Sequence, residues 1–217
     1  MFGKNPLRPP EKGDGSILQV QNIFPTLQGE GPFAGRPAIF IRLGGCNLAC
    51  DFCDTEFEDF TTWTTEDVVA HASLYPARLA VITGGEPFRQ PIAPLCEMLL
   101  AAGFEVQIET NGTLYRPLDS RIHIVCSPKT TTGQYAPLRP DLLPHISALK
   151  FLVSASHPLY RDIPELGQHD YHIPVYVQPI DEYDEIKNAN NVTLAKDLAM
   201  THGYRLSLQL HKLLGIE

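Results

Sequence analysis

The sequence predicts an α/β fold built on a mainly parallel sheet. Short apolar runs rich in Val and Ile alternate with helical patterns along the chain, as expected for parallel strands covered by helices. Only about six strand–helix units are present, too few for a closed eight-stranded barrel. Pro and Thr dominate between residues 127 and 148, where no helix is predicted. The expected architecture is a partial, open (β/α)6-type, TIM-like barrel with some helices shortened or lost.

The predicted strands are bounded by Gly, Pro and polar residues, and most are short and β-branched. They cover residues 17–24, 37–43, 79–83, 105–110, 122–126, 148–153, 175–179 and 205–210. Polar motifs follow several of them directly. In a parallel sheet the carboxyl ends of the strands meet at one edge, where ligands bind. We therefore expect the chemistry at that edge.

Three segments have helical patterns. Residues 64–75 begin with a Thr-x-x-Asp capping signature at Thr64. Residues 90–103 carry Pro91 in the expected first turn and Gly103 past the expected end. Residues 191–203 form the last predicted helix, which also ends on Gly.

The composition excludes several classes of function. The chain has 217 residues and a formal net charge of −8, with a sequence pI of about 5.4. It lacks the basic footprint of a nucleic-acid or anionic-membrane binder. No apolar run approaches the roughly 18 residues that a membrane span needs. We expect no nucleic acid and no membrane among its partners.

The N-terminal region and the cysteines suggest a domain organisation and a compartment. Residues 1–16 are rich in Pro, Gly and charge, which predicts a flexible N-terminal extension. Residues 17–217 are expected to form a single domain. The cysteine count is odd, and three of the five lie in one loop. This distribution favours a reducing, cytoplasmic location and a metal site over a disulfide framework.

Those three cysteines form a C-x3-C-x2-C pattern at Cys46, Cys50 and Cys53. A structural zinc ion usually takes four ligands, commonly as two separated pairs. The fourth ligand is missing here, because Cys96 and Cys126 fit small buried side chains in a helix and a strand. A 4Fe–4S cluster with one iron left open for a reacting ligand explains three thiolates. Buried or zinc-bound cysteines remain the alternative on spacing alone.

With Phe52 just before its third cysteine, the pattern resembles the cluster motif of radical S-adenosylmethionine (SAM) enzymes. "TGGEP" (83–87) resembles the Gly-Gly-Glu-Pro motif of the same superfamily. "TLQGEGPFAGRPAIFIRLGGC" (26–46) resembles, more narrowly, the 7-carboxy-7-deazaguanine synthase family. "FCDT" (52–55), "IETNG" (108–112), "SPK" (127–129), "VQP" (177–179) and "LSLQLHKLLGI" (206–216) follow in the family's order.

The resemblance implies three cofactors: the 4Fe–4S cluster, SAM and Mg²⁺. Cys46, Cys50 and Cys53 would hold the cluster, and Thr55 would bind Mg²⁺ through its hydroxyl. The implied SAM-binding residues are Phe52, Cys53, Asp54, Gly85, Glu86, Ser127, Pro128, Lys129, Gln178, Pro179, Ile180 and Asp181. Glu86 is expected to accept a hydrogen bond from the SAM ammonium.

The implied substrate is 6-carboxy-5,6,7,8-tetrahydropterin. Its site would contain Leu27, Gln28, Gly29, Glu30, Arg42, Thr83, Glu109 and Glu217. Glu30 or Glu109 would accept from the guanine-like edge of the pterin, and Arg42 would pair with its carboxylate. Glu217 is placed by its C-terminal carboxylate, although the tail "LLGIE" departs from the family's usual ending. Lys150 fits either a core residue or a neighbour of SAM.

The family's reaction starts with a 5′-deoxyadenosyl radical that abstracts hydrogen from C6 of the pterin. The ring then contracts and loses ammonia, which leaves 7-carboxy-7-deazaguanine. No protein acid or base is assigned. A flavodoxin-like electron donor and a homodimer are the implied partners. Two alternatives remain open: a glycyl-radical-enzyme activating enzyme, which uses the same cysteine spacing, and a non-catalytic zinc-binding module.

Overall fold

The fold is a nine-stranded, mostly parallel sheet with helices packed on it, as seen in a computed structural model. The structure describes residues 5–50, 52–53, 55–131 and 133–216. The elements in chain order are β1 (Ile17–Leu27), β2 (Pro37–Leu43), β3 (Thr61–Thr64), α1 (Thr65–Ala72), β4 (Leu79–Gly84), α2 (Ala93–Ala101), β5 (Glu105–Thr110), β6 (His123–Cys126), β7 (Thr130–Thr131), β8 (Gln134–Tyr135), β9 (Ile146–Val153), β10 (Val175–Pro179), α3 (Glu185–His202), β11 (Arg205–Leu206) and α4 (Leu210–Leu214).

The strand order confirms the predicted fold class. It runs β11-β10-β9-β6-β5-β4-β2-β1-β3. In this sheet β2, β4, β5, β6, β9, β10 and β11 pair in parallel with their neighbours in that order. β1 and β3 add antiparallel strands beyond β2. Within the described residues no pairing joins β3 to β11, so the barrel stays open. Only short 3₁₀ turns stand where helices would connect β6, β9 and β10, which agrees with the predicted loss of helices.

The helices on the sheet follow the predicted capping chemistry, with shifted boundaries. Thr64 caps α1 by accepting from the Asp67 N–H, and its hydroxyl donates to the Asp67 carboxylate at 2.7 Å. The helix α2 begins at Ala93 rather than at residue 90, so Pro94, not Pro91, occupies its first turn. The predicted core face of α2 is buried, including Leu95, Cys96 and Leu99.

The last predicted helix and strand are both wrong in extent. The helix α3 starts at Glu185 because Asp184 caps it, accepting from two backbone N–H groups. Only Asn191 and Ala195 of α3 are buried. The first turns therefore carry no apolar stripe from which the start of the helix could be predicted. The strand predicted over 205–210 stops at Leu206. Beyond it, Ser207 donates from its N–H to the Val177 carbonyl and the chain turns into α4.

Two short antiparallel elements were not predicted from the sequence. The strand β3 pairs with the start of β1, and β7 with β8 forms a separate hairpin after β6. Both are too short to show a period of two. None of the helices among the described residues is long and apolar enough to cross a membrane.

The described part of the predicted N-terminal extension, residues 5–16, makes several contacts with the rest of the chain. The Arg8 N–H donates to the Cys46 carbonyl at 2.8 Å. Glu11 pairs with the buried Arg89 guanidinium at 2.8 Å. The Thr65 N–H donates to the Ser16 carbonyl at 3.0 Å. Residues 1–4 lie outside the described residues. The extension therefore holds the start of the cysteine loop.

Candidate active site

A cavity of about 280 Å³ opens at the carboxyl ends of the parallel strands, at the edge that the sequence predicted. Most of the predicted site residues line it. They are Leu27, Gln28, Glu30, Arg42, Cys46, Cys50, Phe52, Cys53, Thr55, Thr83, Gly85, Glu109, Ser127, Lys129, Gln178, Pro179, Ile180 and Asp181. Gly29, Glu86 and Pro128 are not among its lining residues, and Asp54 and Glu217 lie outside the described residues.

Several lining residues were not predicted to be part of the site. The cavity is also lined by Asn5, Phe24, Thr26, Phe40, Leu48, Phe57, Gly84, Thr110, Asn111, Lys150, Leu152, Gln209 and His211. Thr110 and Asn111 belong to the quoted "IETNG" motif, and Gln209 and His211 to the C-terminal motif. Phe40 sits inside an apolar strand, where the sequence did not indicate a role in binding. For Lys150 the sequence left two alternatives, a core residue or a neighbour of SAM.

The cysteine loop brings three reduced thiols to this cavity. Cys46, Cys50 and Cys53 form no disulfide among the described residues, and all three line the cavity. Cys46 is buried, and a turn links the other two, since the Cys53 N–H donates to the Cys50 carbonyl at 3.1 Å. Burial raises the pKa of Cys46 to about 12, and the neighbouring thiols and Glu86 add to this.

The donor set fits an iron–sulfur cluster. No three His, Cys, Asp or Glu side chains of the described residues converge on a point that could hold one metal ion. A cluster does not need such convergence, because each thiolate binds its own iron. Three thiols from one short loop that lines the cavity therefore match a 4Fe–4S cluster that leaves one iron open to a ligand from the cavity.

The "TGGEP" turn lies directly against the cysteine loop. The Gly85 N–H donates to the Leu43 carbonyl and the Glu86 N–H to the Gly45 carbonyl, both at 3.0 Å. A Cβ on Gly85 would lie 1.9 Å from the Gly45 carbonyl oxygen. Only glycine allows this approach of two backbones, which explains why the motif needs it.

The Glu86 carboxylate holds loops together instead of facing the cavity. It is fully buried and accepts from the Phe88 N–H at 3.0 Å, the Thr110 hydroxyl at 2.7 Å and the Asn111 N–H at 2.8 Å. Burial raises its pKa to about 7, against the opposing effect of these bonds. All three of these bonds come from protein donors, and the expected bond from the SAM ammonium to Glu86 stays a prediction. The backbone of Gly84 and Gly85 lines the cavity in its place.

A second bond network extends from these loops to the cysteine loop. The Asn111 side-chain amide donates to Asn47 at 3.0 Å, and the Asn47 amide donates to the Thr113 hydroxyl at 2.8 Å. Asn47 directly follows the first cysteine. The position of Cys46 is thus tied through side chains to the end of β5.

Lys150 forms the charged centre of the opposite part of the site. Its ammonium donates to Glu30 and, at 2.6 Å, to Glu109, and only 3% of the residue is exposed. Burial works to lower its pKa, but the two carboxylates outweigh it and raise the pKa above its usual value. The pKa of Glu30 falls to about 2, because the pull of Lys150 outweighs the opposing effect of burial. Lys150 and Glu30 are therefore both charged near neutral pH.

Amide side chains fix the two carboxylates further. Gln28 is 1% exposed; its amide N–H donates to Glu109 at 3.1 Å and its oxygen accepts from the Glu30 N–H at 3.0 Å. Gln107 donates to the same oxygen of Glu109 at 2.9 Å, and Gln209 donates to Glu30 at 3.0 Å. The predicted substrate residues Gln28, Glu30 and Glu109 are thus one connected group.

Positive charge lies elsewhere along the cavity. Arg42 reaches it from β2, with its guanidinium carbon 5.0 Å from the centre of the Phe24 ring. Lys129 donates to the Ser127 carbonyl at 2.8 Å and hydroxyl at 2.6 Å, and burial lowers its pKa. These cations suit an anionic ligand such as a carboxylate.

Comparison with known proteins identifies the family. A model of the radical SAM superfamily matches residues 40–125. A 7-carboxy-7-deazaguanine synthase of Rickettsia prowazekii (strain Madrid E) is 56% identical over 225 residues, which cover 100% of this chain and 96% of the relative. The chain belongs to the 7-carboxy-7-deazaguanine synthase family. A second member, from Rhodospirillum rubrum, is 42% identical over 240 residues and 100% of both chains.

A solved structure supports the same assignment. The crystal structure of QueE from Escherichia coli matches 89% of this chain and 94% of its own, with 27% identity and a TM-score of 0.71. The resemblance noted in the sequence is confirmed, and the chain is a radical SAM enzyme of the 7-carboxy-7-deazaguanine synthase family. Membership implies a 4Fe–4S cluster and SAM, which agrees with the three thiols that line the cavity.

Proposed function

We propose that this enzyme converts 6-carboxy-5,6,7,8-tetrahydropterin to 7-carboxy-7-deazaguanine with loss of ammonia. The observation that carries the proposal is a single cavity with two chemically different parts. One wall presents three thiols, and the other presents a charged group with fixed hydrogen-bond acceptors. The first suits a radical-generating cofactor and the second a nitrogen-rich ring.

The part of the cavity that presents Glu30 and Glu109, called here the acceptor wall, suits the guanine-like edge of a pterin. That edge carries an amino group and ring N–H donors, and carboxylates are strong acceptors for them. Glu30 is ionised, and Glu30 and Glu109 are both held by the buried Lys150, so they need little reorganisation when the ring binds. Arg42 and Thr83 are direct neighbours in the β2–β4 register. Arg42 supplies the cation for the pterin's carboxylate.

Cys46, Cys50 and Cys53 would hold the cluster, and SAM bound beside it would supply the radical chemistry for hydrogen abstraction at C6 of the pterin. The protein contributes position and exclusion of water. Phe52 packs edge-on against Tyr160, with ring centres 5.1 Å apart, which fixes the loop beside SAM. Ser127, Lys129 and the segment 178–181 line the same cavity as the three thiols.

Thr55 is our candidate for the Mg²⁺ ligand. It lines the cavity two residues after Cys53, and Mg²⁺ takes oxygen ligands while keeping several waters. One protein hydroxyl together with the substrate carboxylate satisfies that preference.

The partners and location are proposals of the same kind. We propose a cytoplasmic enzyme that takes electrons from a flavodoxin-like donor. We also propose a homodimer, because exposed apolar side chains lie around the edge strand β11 and the helix α4, namely Leu206, Leu213, Leu214 and Ile216. An open sheet edge and such residues need covering.

The test is turnover by the anaerobically reconstituted protein. The pterin, SAM, Mg²⁺ and a reductant are supplied, and mass spectrometry looks for 7-carboxy-7-deazaguanine. Wild type and Cys96→Ala, which changes a buried cysteine outside the loop, are expected to form product. Cys50→Ala is expected to form none. A wild-type protein that carries its cluster and cleaves SAM but forms no product would refute the proposed substrate and point to a protein target instead.

A further inference from the structure

The sequence motifs leave Lys150 without a role. It lies within β9 between the fully buried Leu149 and Phe151, and it is itself 3% exposed. A lysine buried without a partner loses its charge, because burial penalises the ammonium form. The presence of a charged lysine here therefore needs an explanation in terms of what it touches.

What it touches comes from two distant parts of the chain. Glu30 follows β1 and Glu109 lies on β5, and the ammonium contacts one oxygen of each. Two of its three donors are thus used on groups that line the cavity. Among the described residues, Lys150 is the one cation that forms an ion pair with either carboxylate.

The other charged groups facing this pair act on something else or from farther away. Lys129, after β6, gives its hydrogen bonds to Ser127. His211, on α4, and Arg42, on β2, line the same cavity without a hydrogen bond to Glu30 or Glu109 among the described contacts. Without Lys150, two half-buried carboxylates would lie close together with no direct counter-ion. One of them would then hold a proton at neutral pH.

We propose that Lys150 is a positioning residue that keeps Glu30 and Glu109 ionised and adjacent, so that both can accept the N–H donors of a pterin ring. The inference rests on the proposed function and names the residue that prepares its acceptor wall. A protonated carboxyl group would present a hydrogen where the ring also presents one. The lysine prevents this mismatch, and it thereby selects ligands with a donor-rich edge.

The experiment measures binding of oxidised 6-carboxypterin, a stable fluorescent probe, to reconstituted protein with SAM and Mg²⁺ between pH 6.5 and 9. Wild type is expected to bind with little pH dependence. Lys150→Met should bind the probe roughly tenfold more weakly at pH 7, because Glu30 and Glu109 lose the ammonium that pairs with both of them. Its affinity should recover as the pH rises, because the extra proton is then lost. Lys150→Arg should keep the flat profile.

Two controls separate this role from a structural one. Lys196→Met changes an exposed lysine on α3 and should leave binding unchanged. SAM binding should be the same in all variants. The double variant Lys150→Met, Glu109→Gln leaves one carboxylate and should bind the probe weakly and without pH dependence. It provides this test even if Lys150→Met alone does not fold.

Three results would overturn the inference. The first is that Lys150→Met binds the probe with wild-type affinity. The second is that Lys150→Met and Lys150→Arg lose affinity for the probe and for SAM equally and at every pH. The third is that probe binding by the double variant still depends on pH. If wild type binds the probe but forms no 7-carboxy-7-deazaguanine from the reduced substrate, the proposed function fails while the role of Lys150 in ring binding is still decided.

Discussion

Buried carboxylates at the edge of this sheet are held in two opposite ways. Glu86 accepts from two backbone N–H groups and a hydroxyl, and burial raises its pKa to about 7. Glu30 shares the ammonium of Lys150, which overcomes burial and lowers its pKa to about 2. Neutral donors fix loops around Glu86 but do not secure its charge. Lys150 keeps the charge on Glu30, which lines the cavity. A glutamate thus serves stability at position 86 and recognition at position 30.

The largest effect that this comparison predicts is on turnover. Glu109→Gln removes the charge of the Lys150 partner on β5 and should lower kcat/KM for the pterin about 100-fold, or about 3 kcal/mol, since hydrogen bonds to charged groups are lost. The exposed Glu97→Gln on α2 is the matched control and should act like wild type. Product formation by Glu109→Gln at the wild-type rate would show that the charged wall does not recognise the substrate.

At Glu86 the expected effect is on stability. Glu86→Gln should lower the free energy of unfolding by about 2 kcal/mol at pH 5, because the new amide faces the Asn111 N–H with a donor. The raised pKa makes the wild-type contribution full below about pH 4.5 and lost as the pH rises through about 7. The difference between the proteins should therefore shrink towards pH 8. Urea unfolding of the cluster-free proteins measures it, and a difference that grows with pH would contradict this reading.

These two regions also differ in how far the sequence revealed them. Spacing grouped the three cysteines, and the end of a parallel strand placed Glu109 at the binding edge, because parallel strands bring their carboxyl ends together whatever the details of packing. Gln28, which follows the antiparallel β1, was placed in the site by the family resemblance alone. The motif around Glu86 identified the turn but not its direction. Whether a carboxylate faces a ligand or a neighbouring loop depends on Thr110 and Asn111, which only the fold brings near.

Lys150 and the end of the chain show a second limit. A lysine in an apolar strand has no local pattern that names its partners, and Glu30 lies 120 residues away. The segment after Leu206 alternates like a strand, yet long-range bonds decide its path. The Ser207 hydroxyl donates to Gln178 at 2.9 Å and accepts from the Gly31 N–H at 2.9 Å, which draws the chain across the site into α4.

A smaller effect of opposite pH dependence is predicted for Glu30. Its lowered pKa makes the stabilisation from Lys150 full above about pH 4.5 and lost as the pH falls towards about 2. Glu30→Gln should cost about 1.5 kcal/mol of unfolding free energy at pH 6, and this cost should decrease below pH 4.5. Equilibrium unfolding of the cluster-free proteins between pH 3 and 6 tests the sign. A difference that is constant over this range would mean that Lys150 does not stabilise the ionised form.

The smallest effect tests whether the network around Glu86 extends to the cysteine loop. Asn47→Ala removes the bonds to Asn111 and Thr113 and should cost about 1 kcal/mol of unfolding free energy. Because Asn47 adjoins Cys46, the variant should also lose its cluster faster under air, followed by the decay of its visible absorbance. Asn190→Ala, an exposed change on α3, should alter neither property. Loss of stability with unchanged cluster retention would confine the Glu86 network to the strand ends, whereas loss of both makes it the support that holds the first cluster ligand in place.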